Sequence, residues 1–278
     1  MTFKGALDYG KEILKSAGIA DYGLDAWYLM EYSNRIDKSW YYLHSSDEME
    51  DENFQEYKLL LKKRGERVPL QYITGSQEFM GMSFKVNSHV LIPRQDTETL
   101  VEEAAKMLEP GMEVLDLCTG SGCVMISLLK QKDIIGTASD ISKQALLIAK
   151  ENAKNFQVEV NLVRSDLFQN ITGKYDMILA NPPYIPTGVI ETLMPEVKNF
   201  EPMEALDGKE DGMYFLRKIV KEGKGFLKSN GYLCMEIGHD QGGRAAFLME
   251  ENGYRNVKVI KDLARNDRVV CGNLPAVK

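Results

Sequence analysis

Apolar residues recur at helical spacing in GALDYGKEILKSAG, and again in DENFQEYKLLLKKRGE before a glycine stop, so the chain to roughly Gly65 is predicted helical. Between these segments Leu24 to Leu43 carries Trp27, Tyr28, Tyr32, Trp40, Tyr41 and Tyr42. Aromatics on a helical stretch are first of all core, with a partner-binding face as the second reading. The pattern then changes. In RVPLQYITGSQEFMGMSFKVNSHVLIPR, Arg67 to Arg94, short β-rich runs alternate with Gly, Asn and Ser, which predicts a connector of one or two hairpins. Helix resumes with TETLVEEAAKML.

From Gly111 onward, strand and helix patterns alternate: MEVLDL then CVMISLLK, IIGTASD then SKQALLIAKENAKNF, VEVNLVRSD, YDMILA, a helix around YFLRKIVKEGKGFL, and GYLCMEI. Repeated βα units with apolar strands predict an α/β fold whose parallel sheet is covered on both faces. A last helix, GGRAAFLMEENG, precedes YRNVKVI and DRVVCGN, which can close the sheet as a hairpin, with Arg265 to Arg268 packing or capping it. The expected division is a small helical domain at 1–66, a β-hairpin connector at 67–95 and the α/β domain at 96–278.

With 278 residues, 44% hydrophobic and 27% charged, the chain has enough material for a substantial core and an ordinary globular balance. Charges threaded through MTFKGALDYGKEILKSAG argue against a secretory signal, and no apolar run approaches bilayer-spanning length. The expected location is cytoplasmic, away from membranes. Cys118, Cys123, Cys234 and Cys271 lack CxxC spacing, and His44, His89 and His239 form no cluster with them, so neither a metal site nor a disulfide framework is expected. A net charge of -7 works against binding nucleic acid over the whole surface, though a local basic patch stays open.

The chemistry concentrates in two stretches. VLDLCTGSGCVMISLL puts Asp116 at a strand end and Gly120 and Gly122 in the turn that opens the next helix, where backbone N–H groups are unpaired. A dinucleotide fingerprint would need a third glycine at Met125, and no Gly-Lys-Ser/Thr follows for a Walker loop. Asp140, at the end of the next strand, is placed to accept the hydroxyl hydrogen bonds of a ribose. Taken alone, the glycines fit any tight turn, and the acids fit turn or cap roles. In register across two βα units, the pattern resembles class I S-adenosylmethionine-dependent methyltransferases.

The second stretch is LANPPYIPTG, after the fourth strand of the sheet. In a doubly wound sheet that strand lies beside the first, so Asn181 emerges next to the turn. Asn181 Oδ1 and the Pro182 carbonyl could each accept one N–H of a planar nitrogen, with Pro182-Pro183 holding the backbone stiff and Tyr184 against the flat face. The alternative is a strand terminator with an Asx turn and a packing Tyr.

Asn-Pro-Pro-Tyr is shared by amino-group methyltransferases acting on adenine and on glutamine. The surrounding motifs are more specific. VLIPRQDTETLV, VLDLCTGSG, SDLF, NPPYIP, EPMEALDGKEDG and KDLARNDRVV, together with QYITG and the N-terminal helices, resemble the protein-(glutamine-N5) methyltransferase family that modifies peptide chain release factors, PrmC/HemK. The resemblance spans essentially the whole chain. It implies a Rossmann-like class I sheet with S-adenosylmethionine as donor, held by Asp116, Cys118, Thr119, Gly120, Ser121, Gly122, Asp140, Asp166, Leu167 and Asn181. The acceptor glutamine of the Gly-Gly-Gln loop would be held by Asn181, Pro182, Pro183 and Tyr184, with Arg94 and Glu98 on the substrate side and the helical domain gripping the release factor. It implies no metal, and a monomer is expected.

Three departures stand out: Cys118 in place of the turn's usual first glycine, Leu167 where many members carry Trp, and Gln95-Asp96 where Pro-Glu is common. Arg94 also has a structural reading as an ion-pair partner, and Glu201 with Asp207 to Asp211 has one as a solvated loop. The runner-up function is an adenine-N6 methyltransferase acting on DNA or RNA, which predicts a basic face. A third reading is a binding protein that keeps the fold without turnover.

Overall fold

The computed structural model describes residues 1–276, which fall into two compact units: Met1–Ser76 with Met194–Phe200, and Gln77–Leu193 with the chain from Glu201 onward. The first unit holds α1 (Phe3–Ser16), α2 (Tyr22–Asn34), α3 (Lys38–His44), α4 (Asp51–Gly65) and α5 (Leu70–Thr74). The Thr2 hydroxyl caps α1 by accepting from the Gly5 N–H, and Ala6, Leu7, Gly10 and Leu14 form its buried face. Gly10 permits a close crossing, since a Cβ there would lie 2.0 Å from the Tyr57 hydroxyl of α4.

Helix α2 is apolar on both sides. It buries Ala26, Trp27, Leu29 and Met30, whereas Leu24, Tyr28 and Tyr32 stay exposed, as does Tyr42 on α3. The aromatic segment is therefore core only in part. Buried Arg64 donates to Asp25 Oδ2 at 2.7 Å and to Glu196 Oε1 at 3.1 Å. Arg67 bonds the same Glu196 oxygen at 3.2 Å and also holds the carbonyls of Ala17 and Gly18. Glu196 thus brings the Met194–Phe200 segment into the first unit, a non-local addition that the linear boundary at residue 66 did not foresee.

The connector departs from its β-rich expectation at one place. LQYIT is helical because Pro69 caps its start and Gly75, left-handed at φ 77°, stops it, and these ends outweigh the β-branched side chains. The expected hairpin follows as β1 (Ser76–Phe79) and β2 (Met82–Lys85).

The second unit continues with α6 (Glu98–Met107), β3 (Glu113–Leu117), α7 (Cys123–Gln131), β4 (Ile135–Asp140), α8 (Lys143–Asn155), β5 (Asn161–Arg164) and β6 (Tyr175–Ala180). Three short helices come next: α9 (Thr187–Ile190), α10 (Pro195–Phe200), which belongs to the first unit, and α11 (Met203–Leu206). The chain closes with α12 (Tyr214–Gly223), β7 (Leu227–Glu236), α13 (Gly242–Glu251), β8 (Arg255–Lys261) and β9 (Asp267–Asn273). Strand order is β5-β4-β3-β6-β7-β9-β8, parallel except at β9, which runs antiparallel to both neighbours.

Alternation along the central strands sends Val114, Met177 and Leu179 into one apolar layer and Leu115, Leu117 and Ile178 into the other, so both faces are covered as the βα pattern requires. Leu117 pairs with Ala180, and Cys118 and Asn181 therefore leave the sheet side by side at its switch point. The Rossmann-like expectation holds. Arg268 is buried against Asp262 and Asp96, consistent with the packing role expected at the final hairpin. All four cysteines are free. Among the described residues no helix is long and apolar enough to cross a membrane, and no group of side chains is arranged for a metal ion.

Candidate active site

A cavity of about 350 Å³ opens at the carboxyl ends of β3, β4 and β6. One wall is the turn after β3, where Cys118 (φ 58°) and Gly120 (φ 55°) are both left-handed. The flanking acids hold this turn in place. Thr119 Oγ1 donates to Asp116 Oδ2 at 2.5 Å, the Gly120 N–H donates to Asp140 Oδ2 at 2.9 Å, and Asn152 Nδ2 binds the Ser121 carbonyl at 2.9 Å. Burial pushes the Asp116 carboxyl up to about 7 against the pull of the Thr119 hydroxyl.

Burial also raises the Asp140 carboxyl, although the N–H groups of Ser142 and Gly120 favour its ionised form. Each Asp140 oxygen accepts one backbone N–H, so each retains a lone pair for a hydroxyl donor from the cavity. A Cβ on Gly120 would stand in open space and take up room beside the cavity. Gly122, by contrast, does not line it: a Cβ there would lie 2.9 Å from Ile126 Cδ1 and 3.2 Å from Ala149 Cβ, so this glycine serves helix packing.

Cys118 and Leu167, two of the departures from the family pattern, both line the cavity with positive φ, 58° and 47°. A side chain in that region costs about 1–2 kcal/mol. Burial, followed by the charges of Asp140, Asp116 and Asp166, keeps the Cys118 thiol protonated, so it is wall and not nucleophile.

Beside that turn, at the end of β6, Asn181 and Pro183 also line the cavity. Asn181 Nδ2 donates to Thr97 Oγ1 at 3.3 Å, and among the described residues its Oδ1 has no hydrogen-bond donor. Pro182 is buried off the cavity lining, and Tyr184 is turned away from it. The Tyr184 phenol donates to Glu236 Oε1 at 3.0 Å, and its carbonyl accepts from Gln241 Nε2 at 2.9 Å. Tyr184 therefore braces the cup in this structure and does not supply the exposed flat surface that the sequence suggested.

Arg94 lines the cavity and is ion-paired with the buried Glu201, which fits its structural reading. Glu98 is absent from the lining, and its Oε1 accepts from the Met80 N–H at 2.6 Å in the hairpin. The acidic stretch is a surface loop, with Lys209 and Glu210 exposed, and its carboxylates are tied down by local partners. Asp207 accepts from Thr187 Oγ1 and Lys209, and Asp211 pairs with Arg217 and Arg244. Ile185 bonds Leu206 and Gly208 through the backbone, so this stretch scaffolds the cup while Met203, Glu204 and Asp207 help line the cavity.

The structure thus brings together Asp116, Cys118, Thr119, Gly120, Ser121, Asp140, Asp166, Leu167, Asn181, Pro183 and Arg94. It leaves Gly122, Pro182, Tyr184 and Glu98 behind the walls. Sequence reasoning did not single out Thr97, Glu236 or Gln241 as parts of the site. The available signal was an acid closing the otherwise apolar strand GYLCMEI.

Comparison with known proteins identifies the family of the chain. Residues 5–75 match the PrmC N-terminal domain, and residues 94–194 match the methyltransferase small domain. A release factor glutamine methyltransferase from Geobacter sulfurreducens is 35% identical over 277 residues, covering 98% of this chain and 97% of that protein. The protein of the same name from Clostridium acetobutylicum is 36% identical over 278 residues, covering 97% and 98%. A methyltransferase structure from Pyrococcus furiosus matches with a TM-score of 0.55 at 16% identity, covering 71% of this chain and 91% of that one, a likeness of fold. With its fold, its cavity and relatives matched from end to end, this chain belongs to the release factor glutamine methyltransferase family.

Proposed function

We propose that this chain transfers the methyl group of S-adenosylmethionine to the side-chain amide N5 of the glutamine in the Gly-Gly-Gln motif of peptide chain release factors, in the cytoplasm and as a monomer. One observation carries the reading at the level of the site. The acidic turn at Asp140 and the free acceptor Asn181 Oδ1 belong to one cavity, as a donor and a planar acceptor nitrogen would need.

The open space beside Gly120 and the spare lone pairs of Asp140 fit a nucleoside with vicinal hydroxyls. Leu167 offers an aliphatic cover for its base, and Cys118 narrows the adjoining wall. When bound, the donor supplies a methyl carbon made electrophilic by its sulfonium. An amide nitrogen is a poor nucleophile because its lone pair is delocalised. Asn181 Oδ1, accepting one amide N–H, would hold that nitrogen and raise its electron density. The nitrogen's surplus proton leaves readily after transfer, so no general base is required beforehand. The N-terminal helices would recognise the release factor, with Tyr28, Tyr32 and Tyr42 as exposed contact residues.

The test is incubation with isotopically labelled S-adenosylmethionine and unmodified release factor, with unmethylated DNA and RNA in parallel, followed by peptide mapping. Label on the Gly-Gly-Gln glutamine is expected. Label confined to adenine would overturn the substrate.

A further inference from the structure

Residues 202–205 line the cavity, yet the chemistry above makes no use of them. Both ends of this turn are anchored. Before it, Glu201 is buried and ion-paired with Arg94. After it, Leu206 is buried and its carbonyl accepts from the Ile185 N–H at 3.1 Å, while Asp207 accepts from Thr187 Oγ1 at 2.6 Å and from Lys209 Nζ at 2.9 Å. Glu204 is held between these anchors at the cavity and is exposed, and among the described residues its carboxylate has no hydrogen bond or ion pair.

The lining carries five acids, Asp116, Asp140, Asp166, Glu204 and Asp207, against two cations, Arg94 and Lys209, with His89 beside them. Both cations are already matched, Arg94 by Glu201 and Lys209 by Asp207. Asp116 titrates near 7 and is held by the Thr119 hydroxyl. Asp140 and Asp166 accept only from uncharged donors, the N–H groups of Gly120 and Ser142 and the Gln169 amide. Burial raises the Asp140 carboxyl, and the charge of Glu204 pushes it the same way, so Glu204 is felt across the cavity. The surplus of the lining is therefore negative, and Glu204 is its unpartnered member.

S-adenosylmethionine carries a sulfonium, an ammonium and a carboxylate, and hence one net positive charge. Transfer breaks its S–CH₃ bond, forms N–CH₃ and releases the amide proton, so the sulfur ends as a neutral thioether and the product has no net charge. We infer that Glu204 is a specificity-determining residue for the donor: its free carboxylate favours the cationic sulfonium over the neutral product and weakens retention of the product after each turnover. This rests on the reading of the cavity as the S-adenosylmethionine site. The effect acts through space, needs no contact with the ligand and is screened by salt.

The test is calorimetry with S-adenosylmethionine, with S-adenosylhomocysteine as the neutral product, and with sinefungin, whose amine keeps the positive charge without a transferable methyl. Wild type is compared with Glu204→Gln, Glu204→Lys and the control Glu210→Gln, at low and high salt. Wild type that binds none of the three ligands sinks the donor reading, and this inference with it. If wild type binds them, only the role of Glu204 is at stake. Glu204→Gln is expected to weaken both cationic ligands by about threefold to fivefold and Glu204→Lys by on the order of tenfold, with the product held within about twofold and the differences shrinking in high salt. Glu210→Gln, outside the lining, should leave all three affinities unchanged. An unchanged preference for cationic ligands over product in Glu204→Lys overturns the inference. So does an equal loss of all three ligands, which would make Glu204 a contact for the nucleoside they share.

Discussion

Gly208 offers a graded probe of how tightly the Asn-Pro-Pro-Tyr cup must be held. A Cβ at this position would lie 2.7 Å from both the Cα and the carbonyl carbon of Tyr184 and 2.8 Å from Gly212 Cα. All three atoms are backbone, so no side chain can swing aside. Ordinary contact begins near 3.4 Å, which leaves about 0.7 Å for the Tyr184 backbone or its neighbour to give. Overpacking of this kind costs about 1–3 kcal/mol. The same displacement reaches Asn181 through three residues of proline-stiffened chain, and a misplacement of about 1 Å costs on the order of a hundredfold in rate. Gly208→Ala is therefore expected to lose on the order of tenfold or more in kcat, with donor affinity nearly unchanged because Asp140 and Gly120 lie outside the cup. Single-turnover transfer to release factor, donor calorimetry and a melting curve separate these quantities. A variant with full kcat and an unshifted melt would refute the wedge argument, and one that loses donor binding first would tie the cup to the donor.

Three further outcomes follow from contacts already described. Asn181→Ala should lower transfer by on the order of a hundredfold while sparing donor binding in part, checked by the same pair of assays; wild-type turnover would remove the cup from the mechanism. Arg64→Ala should destabilise the chain by about 3–5 kcal/mol in urea unfolding, because Asp25 and Glu196 would lose their shared buried partner. Asp116 titrates near 7 when folded, against 3.8 ordinarily, so between those values the folded state binds more protons and stability should fall as pH rises through that window. Asp116→Asn, which keeps an acceptor for Thr119, should flatten that slope in urea melts recorded across it; an unchanged slope would place the titration elsewhere.

The sheet and both chemical stretches were legible because local rules and the global fold coincide there. Strands buried on both faces read as apolar runs, and Asp140 and Asn181 sit where such strands end. Glycines were read less well. Gly120 and Gly122 look alike in the sequence, but one leaves the cavity room and the other admits Ala149. Glu98 and Tyr184 carried the family motif yet bond to Met80 and Glu236, partners 18 and 52 residues away in sequence. No periodicity encodes such pairings. LQYIT misled because its end caps, not its side-chain preferences, decide its conformation.

The placement of Glu196 also bears on how the chain is made. The bond from Arg64 to Glu196 spans 132 residues, so during synthesis Arg64 emerges long before one of its two carboxylate partners exists. At ordinary elongation rates that interval is on the order of ten seconds. Until then the nascent first unit carries a guanidinium that only Asp25 neutralises, and it completes its charge balance when ribosomes have already translated the Asn-Pro-Pro-Tyr segment. Ribosome-bound intermediates of the first unit are thus born incomplete, and the later segment acts as the latch that finishes them.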